Sequence, residues 1–329
     1  MKIAILDDYQ DAVRGLACFR TLDGHDVTVW TDHTEDIDAL AERLADTQVL
    51  VLLRGRTPIP ATLLARLPHL RLISQSGHTD HLDLPACSEH GVLVSAIQAS
   101  RPSYATAELT WGLILASLRN IGFEAAQLKQ HRWQSTLGQG LRGHVLGIFG
   151  YGRIGAIVAG YGRAFGMKVI VWGRETTREK ALKDGHEVAG SRDEFFATAD
   201  VVSLHVRYSP ATLHLIKAVD LARMKPTALF VNTSRAELVE PDALASALRS
   251  GRPGRAAVDV YEVEPPPADH PLIAMDNALC TPHLGYIERD SHEFAFGNAF
   301  DQVAAYVQGR PINVCNPDAL AAMSNGARP

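Results

Sequence analysis

The sequence lacks the features that mark membrane, nucleic-acid-binding and disulfide-stabilised proteins. The longest uncharged apolar run, residues 109–118, is too short to span a bilayer, and the acidic start at Asp7-Asp8 is unlike a signal peptide. No long basic block occurs and the formal net charge is -5, so nucleic acid is not an expected partner. The cysteines have no metal-type spacing and indicate reduced thiols in the cytoplasm. They are Cys18, Cys87, Cys280 and Cys315.

The length and the order of the predicted elements indicate two α/β domains. A chain of 329 residues usually forms about two domains, and its 46% apolar and 21% charged residues are typical of a globular protein. Strands alternate with helices in the first part of the chain, which predicts a parallel sheet covered on both faces. The predicted strands are residues 2–6, 26–30, 49–53, 70–74 and 92–95, and the predicted helices are residues 37–44 and 63–67.

A glycine-rich stretch organises the second part of the chain. The apolar run Val145–Phe149 predicts a buried strand, and a helix at residues 156–165 and a strand at Lys168–Trp172 come after it. Glycines at this spacing between a strand and a helix permit a tight turn and let the helix start hold a pyrophosphate. We therefore expect a dinucleotide site; the alternative is a glycine-rich turn used only for packing. The motif reads Gly150-Tyr151-Gly152-Arg153-Ile154-Gly155.

Two long helices flank this nucleotide region. One is predicted at residues 103–119, after a boundary at Ser100-Arg101-Pro102, and the other at residues 287–307. Residues 119–143 are more polar and form either an arm for self-association or a solvated excursion. The remaining predicted strands are residues 187–188, 200–205, 228–232, 256–261 and 278–280, and the remaining helices are residues 193–199, 221–224, 242–249 and 318–323.

The end of the strand Lys168–Trp172 bears on the choice between NAD and NADP. An acidic residue at this position normally binds the 2′-hydroxyl of the NAD ribose, but here Gly173 and Arg174 follow the strand. Glycine makes room and a guanidinium suits a 2′-phosphate, whereas the carboxylate of Glu175 could bind the ribose instead. The sequence therefore favours NADP over NAD.

The segment after the strand at residues 70–74 is a candidate anion site. Backbone N–H groups around Ser76, Gly77 and His78 lie at the carboxyl edge of the predicted sheet and could hold a substrate carboxylate. His78 and His81 have the spacing of a metal pair, but no further ligands are evident and a loop role is favoured. We expect no metal site.

Three ionisable residues follow predicted strands of the second domain: Arg235, Glu264 and His283. An imidazole can exchange a proton with a carbonyl oxygen that gains charge as its carbon accepts hydride, and a paired carboxylate orients that imidazole. A guanidinium can bind the carboxylate of a 2-keto acid. Each residue also has a structural alternative, as a surface ion pair, a solvated turn or a cap, but the three together favour catalysis.

The motifs that carry these residues resemble the D-specific 2-hydroxyacid dehydrogenases, a family that includes glyoxylate, hydroxypyruvate and phosphoglycerate dehydrogenases. The resemblance covers almost the whole chain. Beside the glycine motif, the matching segments are Val231-Asn232-Thr233-Ser234-Arg235-Ala236, Ala257-Val258-Asp259-Val260-Tyr261-Glu262 with Glu264-Pro265, and Thr281-Pro282-His283-Leu284-Gly285.

The resemblance implies a fold, a reaction and a set of site residues. A Rossmann nucleotide domain (residues 100–287) is inserted into a flavodoxin-like substrate domain (residues 1–99 and 288–329), and the long helices connect the two. Hydride passes between NAD(P) and a small D-2-hydroxy acid or 2-keto acid, and the protein is a homodimer joined through its nucleotide domains. Arg235 binds substrate, Glu264 supports the imidazole and His283 is the acid/base. The cofactor contacts are Thr106, the glycine motif, Arg174, His205, Val206, Arg207, Thr233, Ser234, Arg235, Asp259, His283 and Gly285, and the substrate contacts are Ser76, Gly77, His78, Arg235 and His283.

This sequence departs from the family pattern in three places. No acid follows the second nucleotide strand, Ser76-Gly77-His78 replaces the usual Gly-x-Gly, and Arg207 stands where proline is common. With the chain ending at Pro329, we expect no appended regulatory domain. Two other functions stay open: a dinucleotide-sensing interaction protein without activity, and a dehydrogenase of a smaller donor such as formate or phosphite.

Overall fold

The computed structural model describes residues 1–97 and 104–324, with side chains described up to residue 320. The chain forms two compact units. The first unit is Met1–Arg101 with Glu288–Pro329, and the second unit is Pro102–Ile287. The predicted boundary tripeptide Ser100-Arg101-Pro102 and Ser103, the predicted first residue of a long helix, lie outside the described residues.

The first unit is built on a five-stranded parallel sheet with the order β2-β1-β3-β4-β5. Its strands are β1 (Lys2–Ile5), β2 (Asp26–Val29), β3 (Val49–Leu53), β4 (Leu72–Ser76) and β5 (Leu93–Ile97). Its helices are α1 (Ile37–Leu44), α2 (Ala61–Leu64), α3 (Leu84–Glu89), α11 (Arg289–Val307) and α12 (Pro317–Ser324), with 3-10 turns at Val13–Gly15 and Ala17–Leu22.

Helices cover both faces of this sheet. All five side chains of β3 are buried, as expected for the central strand of a parallel sheet whose two faces are both covered. Helices α1, α2 and α3 pack on one face, and Phe296, Phe300 and Val303 of α11 pack on the other. Gln302 of α11 also donates to Ser74 Oγ at 2.9 Å and to the Gln75 carbonyl at 3.0 Å, which satisfies polar groups buried under the helix.

The second unit is built on a seven-stranded parallel sheet with the order β12-β11-β10-β9-β6-β7-β8. Its strands are β6 (Val145–Phe149), β7 (Lys168–Trp172), β8 (Glu187–Val188), β9 (Val201–Leu204), β10 (Leu229–Asn232), β11 (Arg255–Val258) and β12 (Ala278–Cys280). Its helices are α4 (Tyr104–Leu118), α5 (Ile121–Lys129), α6 (Arg153–Ala164), α7 (Glu175–Lys183), α8 (Arg192–Thr198), α9 (Ala218–Arg223) and α10 (Ala243–Ser250), with 3-10 turns at Pro210–Thr212 and Ala236–Leu238.

The direction of the chain reverses beside β6. From β6 the chain runs outward through β7 and β8, and then returns to β9 on the other side of β6 and continues through β10, β11 and β12. Ligands of such sheets bind at the carboxyl edge next to this reversal. The predicted α/β class with two parallel sheets is confirmed, and the strand ends that carry the candidate residues share one edge of the second sheet.

The structure contains helices that the sequence pattern did not predict, namely α3, α5 and α7. Helix α3 is short and is fixed by its cap, where the Asp83 carboxylate accepts the Ala86 N–H at 3.0 Å. Helix α5 has no buried residue and α7 buries only Ala181, so neither has the apolar stripe from which a helix is recognised. Within the described ranges, no helix has both the length and the apolar character needed to cross a membrane.

Candidate active site

Two glycines of the motif are required by close backbone contacts. Gly150 follows β6 with φ +96°, and a Cβ atom placed there would lie 2.5 Å from the carbonyl oxygen of His205. A Cβ atom on Gly155 would lie 2.2 Å from the carbonyl oxygen of Gly150. Both distances are far below a normal contact, so only glycine fits, and the turn brings the start of α6 directly against the end of β6.

Gly152 differs, because a Cβ atom there would have no described protein atom within 4 Å. It is the N-cap of α6, and no side chain caps the helix start. The N–H groups of the first turn have no partner inside a helix, and the positive end of the helix dipole lies beside them. Open space and a helix start that points at it fit a pyrophosphate, which Gly152, Arg153, Ile154 and Gly155 would hold.

Tyr151 lies between these glycines but its side chain turns into the protein. It is 4% exposed, and its hydroxyl donates to Asp184 Oδ2 at 3.0 Å. Burial and the neighbouring carboxylate raise the pKa of Tyr151 to about 12, so the phenol stays protonated. Any contact of Tyr151 with the cofactor would therefore be made by its backbone.

The end of β7 meets the glycine turn. A Cβ atom on Gly173 would lie 3.7 Å from the Cα atom of Gly150 and 3.0 Å from the Cγ2 atom of Thr177. Arg174 is the N-cap of α7, its side chain is exposed, and it has no ion pair with the described residues. Arg174 therefore lies exposed at the start of α7, directly after Gly173, and its predicted contact with a 2′-phosphate stays a prediction.

The segment after β9 adds a neutral histidine to this edge. The His205 ring nitrogen Nε2 lies 2.8 Å from Ser203 Oγ, and burial lowers the pKa of His205 to about 3. Its carbonyl oxygen is the one that excludes a side chain from Gly150. Val206 is half-buried and Arg207 is exposed beside it, which leaves the Arg207 guanidinium accessible to an anion.

His283 and Glu264 form a close hydrogen-bonded dyad. His283 Nδ1 lies 2.5 Å from Glu264 Oε2, and the Tyr261 N–H donates to the other carboxylate oxygen at 3.1 Å. Burial raises the pKa of Glu264, but the hydrogen bond and charge of His283, the Tyr261 N–H and the Arg235 guanidinium together hold it below its ordinary value. An ionised Glu264 fixes the proton on Nδ1 and leaves Nε2 as the nitrogen that can exchange a proton with a bound molecule.

A buried carboxylate holds the loop that carries His283. Asp259 is fully buried and accepts three hydrogen bonds, from the Thr281 hydroxyl at 2.6 Å, the Leu284 N–H at 2.7 Å and the Gly285 N–H at 2.8 Å. Burial raises the pKa of Asp259, and the three donors oppose that rise. The Asp259 carboxylate thus holds this loop, and its contact with the cofactor stays a prediction.

Threonine hydroxyls complete the support of this loop. Thr106 of α4 donates to the Gly285 carbonyl at 2.7 Å, and Thr110 donates to the Thr106 carbonyl at 2.7 Å. The Thr110 hydroxyl also lies 2.8 Å from that of Thr233, which follows β10. Helix α4 is therefore connected to both the His283 loop and the β10 loop, and Thr106 lies against the Gly285 carbonyl.

Arg235 extends from the loop after β10. The Asn232 amide bridges this loop, because its Oδ1 accepts the Ser234 N–H at 2.9 Å and its Nδ2 donates to the Arg235 carbonyl at 2.8 Å. Ser234 Oγ donates to the Leu204 carbonyl at 2.7 Å, which fastens the loop to β9. The Arg235 side chain is exposed and donates to the Ser234 carbonyl at 2.7 Å. Its positive charge is among the causes that lower the pKa of Glu264.

The sequence did not single out Tyr261 or the strained backbone of His283. Tyr261 is 7% exposed, and its hydroxyl donates to the Thr281 carbonyl at 3.1 Å while its N–H donates to Glu264, so it ties together the two loops of the dyad. His283 has φ +52°, a conformation that a non-glycine residue adopts at a cost. The sequence signal for Tyr261 was its place next to the acidic motif. The sequence carried no signal for the φ angle of His283.

The predicted anion loop of the first unit, residues 76–78, already uses some of its backbone groups in hydrogen bonds within the protein. The Gly77 N–H donates to the Ile97 carbonyl at 3.0 Å, so it continues the pairing of β4 with β5 and is not available to a ligand. The carbonyl of His78 accepts a hydrogen bond from the Gln75 amide. His81 is neutral, because burial lowers its pKa. In the part of the chain that the structure describes, no three His, Cys, Asp or Glu side chains are arranged to hold a metal ion.

The second unit thus combines a nucleotide turn with an acid–base pair and a guanidinium on one sheet edge. Its glycine turn, buried aspartate and dyad lie on segments that a known family shares. Residues 111–285 match the model of the D-isomer specific 2-hydroxyacid dehydrogenase NAD binding domain.

The chain belongs to this family.

Its relatives in the D-2-hydroxyacid dehydrogenase family carry several activities in their names. It is 33% identical to a glyoxylate reductase of Aeropyrum pernix, over 92% of this chain and 93% of that protein. It is 34% identical to a D-3-phosphoglycerate dehydrogenase of Methanocaldococcus jannaschii over 94% of this chain, but it spans only 58% of that protein. The crystal structure of a phosphoglycerate oxidoreductase from Vibrio cholerae superposes with a TM-score of 0.88 at 49% identity, covering 94% of this chain and 99% of that one.

Proposed function

We propose that this protein is a reductase that interconverts a small 2-keto acid and the corresponding D-2-hydroxy acid with a nicotinamide dinucleotide. The observation that carries the proposal is the His283–Glu264 pair, at the sheet edge where the strands before Arg235 and before the glycine turn also end. Family membership supports the proposal, because relatives named for glyoxylate and phosphoglycerate act on acids of this class.

Each residue has a role that follows from its chemistry. A bound nicotinamide would supply or accept the hydride at the 2-carbon. When hydride arrives, the carbonyl oxygen gains negative charge, and His283 donates the Nε2 proton to it; in the reverse direction the same nitrogen accepts the hydroxyl proton. Glu264 keeps the imidazole oriented and favours its protonated form in the transition state. Arg235 binds the substrate carboxylate. Ser76, Gly77 and His78 stay predicted substrate contacts in the first unit, except that the Gly77 N–H is already bonded to the Ile97 carbonyl.

We propose NADP as the preferred cofactor. Gly173 brings no acidic side chain to the end of β7, and the exposed Arg174 at the start of α7 has no carboxylate partner among the described residues. A guanidinium binds a phosphate through paired, charge-assisted hydrogen bonds, which the 2′-hydroxyl of NAD cannot match. The remaining predicted contacts of the cofactor lie on the same sheet edge, at Thr233, Ser234 and Gly285.

The reaction is tested by following cofactor absorbance at fixed enzyme concentration. We expect oxidation of NADPH with glyoxylate, hydroxypyruvate, 3-phosphohydroxypyruvate or pyruvate, and a product of D configuration on chiral chromatography. Formate and phosphite, supplied with NADP⁺, serve as the smaller donors and should give no reduction. Absence of turnover with all four keto acids and both dinucleotides would favour a non-catalytic, dinucleotide-sensing protein.

We also propose that two copies of the chain associate through the segment after α4. Helix α5 has no buried residue, and the following loop exposes Trp133 at 76% and Leu137 at 96%. Large apolar side chains this exposed indicate a surface that a partner covers. The partner is a second copy of the nucleotide unit, as the family resemblance implies.

The dimer is tested by light scattering after size-exclusion chromatography. Trp133→Ser combined with Leu137→Ser should shift the mass from dimer to monomer. Leu182→Ser is the matched control, because Leu182 is 59% exposed on α7, outside this segment, and its loss should leave the dimer intact. A monomeric wild type, or a double variant that stays dimeric, would refute this arrangement.

The free state of all four cysteines fits a reducing compartment, and we propose the cytoplasm.

A further inference from the structure

Arg178, in the second turn of α7, has an environment that its own fold does not explain. Its guanidinium carbon lies 5.1 Å from the centre of the Trp172 ring, at the end of β7. Its Nε atom is buried and has no hydrogen-bond partner in the described residues. A buried, unpaired donor of a charged group is costly, so native structures normally satisfy it with protein, water or a ligand.

The neighbouring cations have no protein counter-ion either. Within the described residues, Arg174, Arg178 and Lys180 take part in no ion pair, although Lys180 lies 5.5 Å from the centre of the Tyr151 ring. Two other arginines of this unit do form ion pairs: Arg192 contacts Asp220 at 2.6 Å and Arg223 contacts Asp193 at 2.8 Å. The start of α7 therefore carries three cations that form no ion pair with the described residues.

The position of this charge relates it to the glycine turn. Side chains of a helix lean toward its N-terminus, so a residue in the second turn reaches back over the end of the preceding strand. Arg178 accordingly lies against Trp172, directly before Gly173, and Gly173 lies against Gly150. Two carboxylates, Glu175 and Glu179, are on the same helix and are exposed, but neither forms an ion pair with Arg178.

From this arrangement we propose that Arg178 is a second specificity-determining residue of the cofactor site. Its guanidinium, held by the Trp172 ring, binds the 2′-phosphate of NADP together with Arg174. This inference rests on the NADP preference proposed above and adds a residue to it. Stacking on the indole holds a flexible side chain in one orientation, so less conformational entropy is lost when the phosphate binds.

The inference is tested by calorimetric binding of two cofactor fragments to the whole protein. The fragment 2′,5′-ADP carries the 2′-phosphate and 5′-AMP lacks it, and no turnover is involved. Arg178→Met keeps the aliphatic contact with Trp172 but removes the charge. We expect the affinity for 2′,5′-ADP to fall about tenfold or more, and the affinity for 5′-AMP to change by less than about twofold. Arg178→Lys should restore part of the loss.

Lys183→Met is the matched control, because it removes one positive charge from the last turn of α7, where Lys183 is exposed. It should leave both affinities unchanged, and a thermal melt of each variant checks that it is folded. If wild type prefers 2′,5′-ADP but Arg178→Met loses no more affinity than Lys183→Met, the role of Arg178 is refuted and the NADP preference stands. If wild type binds both fragments equally, the NADP preference and the role of Arg178 both fail.

Discussion

Substitution by alanine should have different effects at three glycines in and next to α6, and the difference tests the nucleotide site. They are Gly152, Gly155 and Gly160. In Gly155→Ala the new Cβ atom would lie 2.2 Å from the Gly150 carbonyl oxygen and 3.2 Å from Ile148 Cγ2. The turn must move by about 1 Å to relieve this contact, and such overpacking costs about 1–3 kcal/mol. We expect a clear fall in the free energy of unfolding of this variant.

Gly152→Ala should spare stability and weaken cofactor binding. No described protein atom lies within 4 Å of the new methyl group, and the residue is extended, with φ -88° and ψ -155°. Exchange of an N-cap glycine for alanine costs no more than about 1 kcal/mol. The methyl group would occupy the space in which a pyrophosphate approaches the backbone, so we expect about tenfold weaker dinucleotide binding or worse.

Gly160→Ala is the control within the same helix. Gly160 has open space around its Cβ position, so alanine should stabilise the helix by about 0.5–1 kcal/mol and leave cofactor affinity unchanged. Urea unfolding and calorimetric titration with NADPH and NADH measure the two quantities for all three variants. If Gly152→Ala binds both dinucleotides as tightly as wild type does, then no pyrophosphate contacts this turn and the site is wrong.

Three further predictions concern the acid–base residues and their support. Glu264→Gln should lower kcat by about tenfold or more with little change in cofactor affinity. In wild type the pKa of Glu264 lies below its ordinary value of 4.5, so activity that depends on ionised Glu264 should be lost only as the pH falls below 4.5, which pH–rate profiles of wild type and Glu264→Gln would show. Asp259→Asn leaves one acceptor oxygen for the three donors of the His283 loop, so we expect a lower kcat at unchanged dinucleotide affinity. Equal losses of kcat and of dinucleotide affinity would contradict a role confined to the loop. Burial lowers the pKa of folded His205 to about 3 from the ordinary value of 6.5, so between these pH values the unfolded chain binds the extra proton. The free energy of unfolding should therefore decrease as the pH is lowered through this range, by up to about 1.4 kcal/mol per pH unit; urea unfolding should show that His205→Gln loses this slope and that exposed His69→Gln keeps it.

The sequence predicted those parts of the site that depend on local chemistry. The contacts of Gly150 and Gly155 follow from a turn that only glycine permits, so the spacing alone indicated them. The pairing of His283 with Glu264 could be expected because both residues follow parallel strands, whose carboxyl ends share one edge.

The remaining features depend on packing that a sequence pattern does not display. The role of Asp259 as the acceptor of three loop donors, and the hydroxyl contacts of Thr110 and Tyr261, link residues far apart in the chain and have no periodic signal. Helix α7 is almost entirely polar on its surface and buries only Ala181, so its existence, and with it the placement of Arg178 over Trp172, could not be read from hydrophobic spacing.

The direct test of the account is the turnover of His283→Ala with a 2-keto acid that wild type reduces, measured at saturating NADPH. Loss of the proton donor should lower kcat by about a hundredfold to ten-thousandfold. Calorimetry should show that the variant binds the dinucleotide as tightly as wild type does. A variant that binds the cofactor normally and still reduces the keto acid at the wild-type rate would show that the imidazole does not deliver the proton.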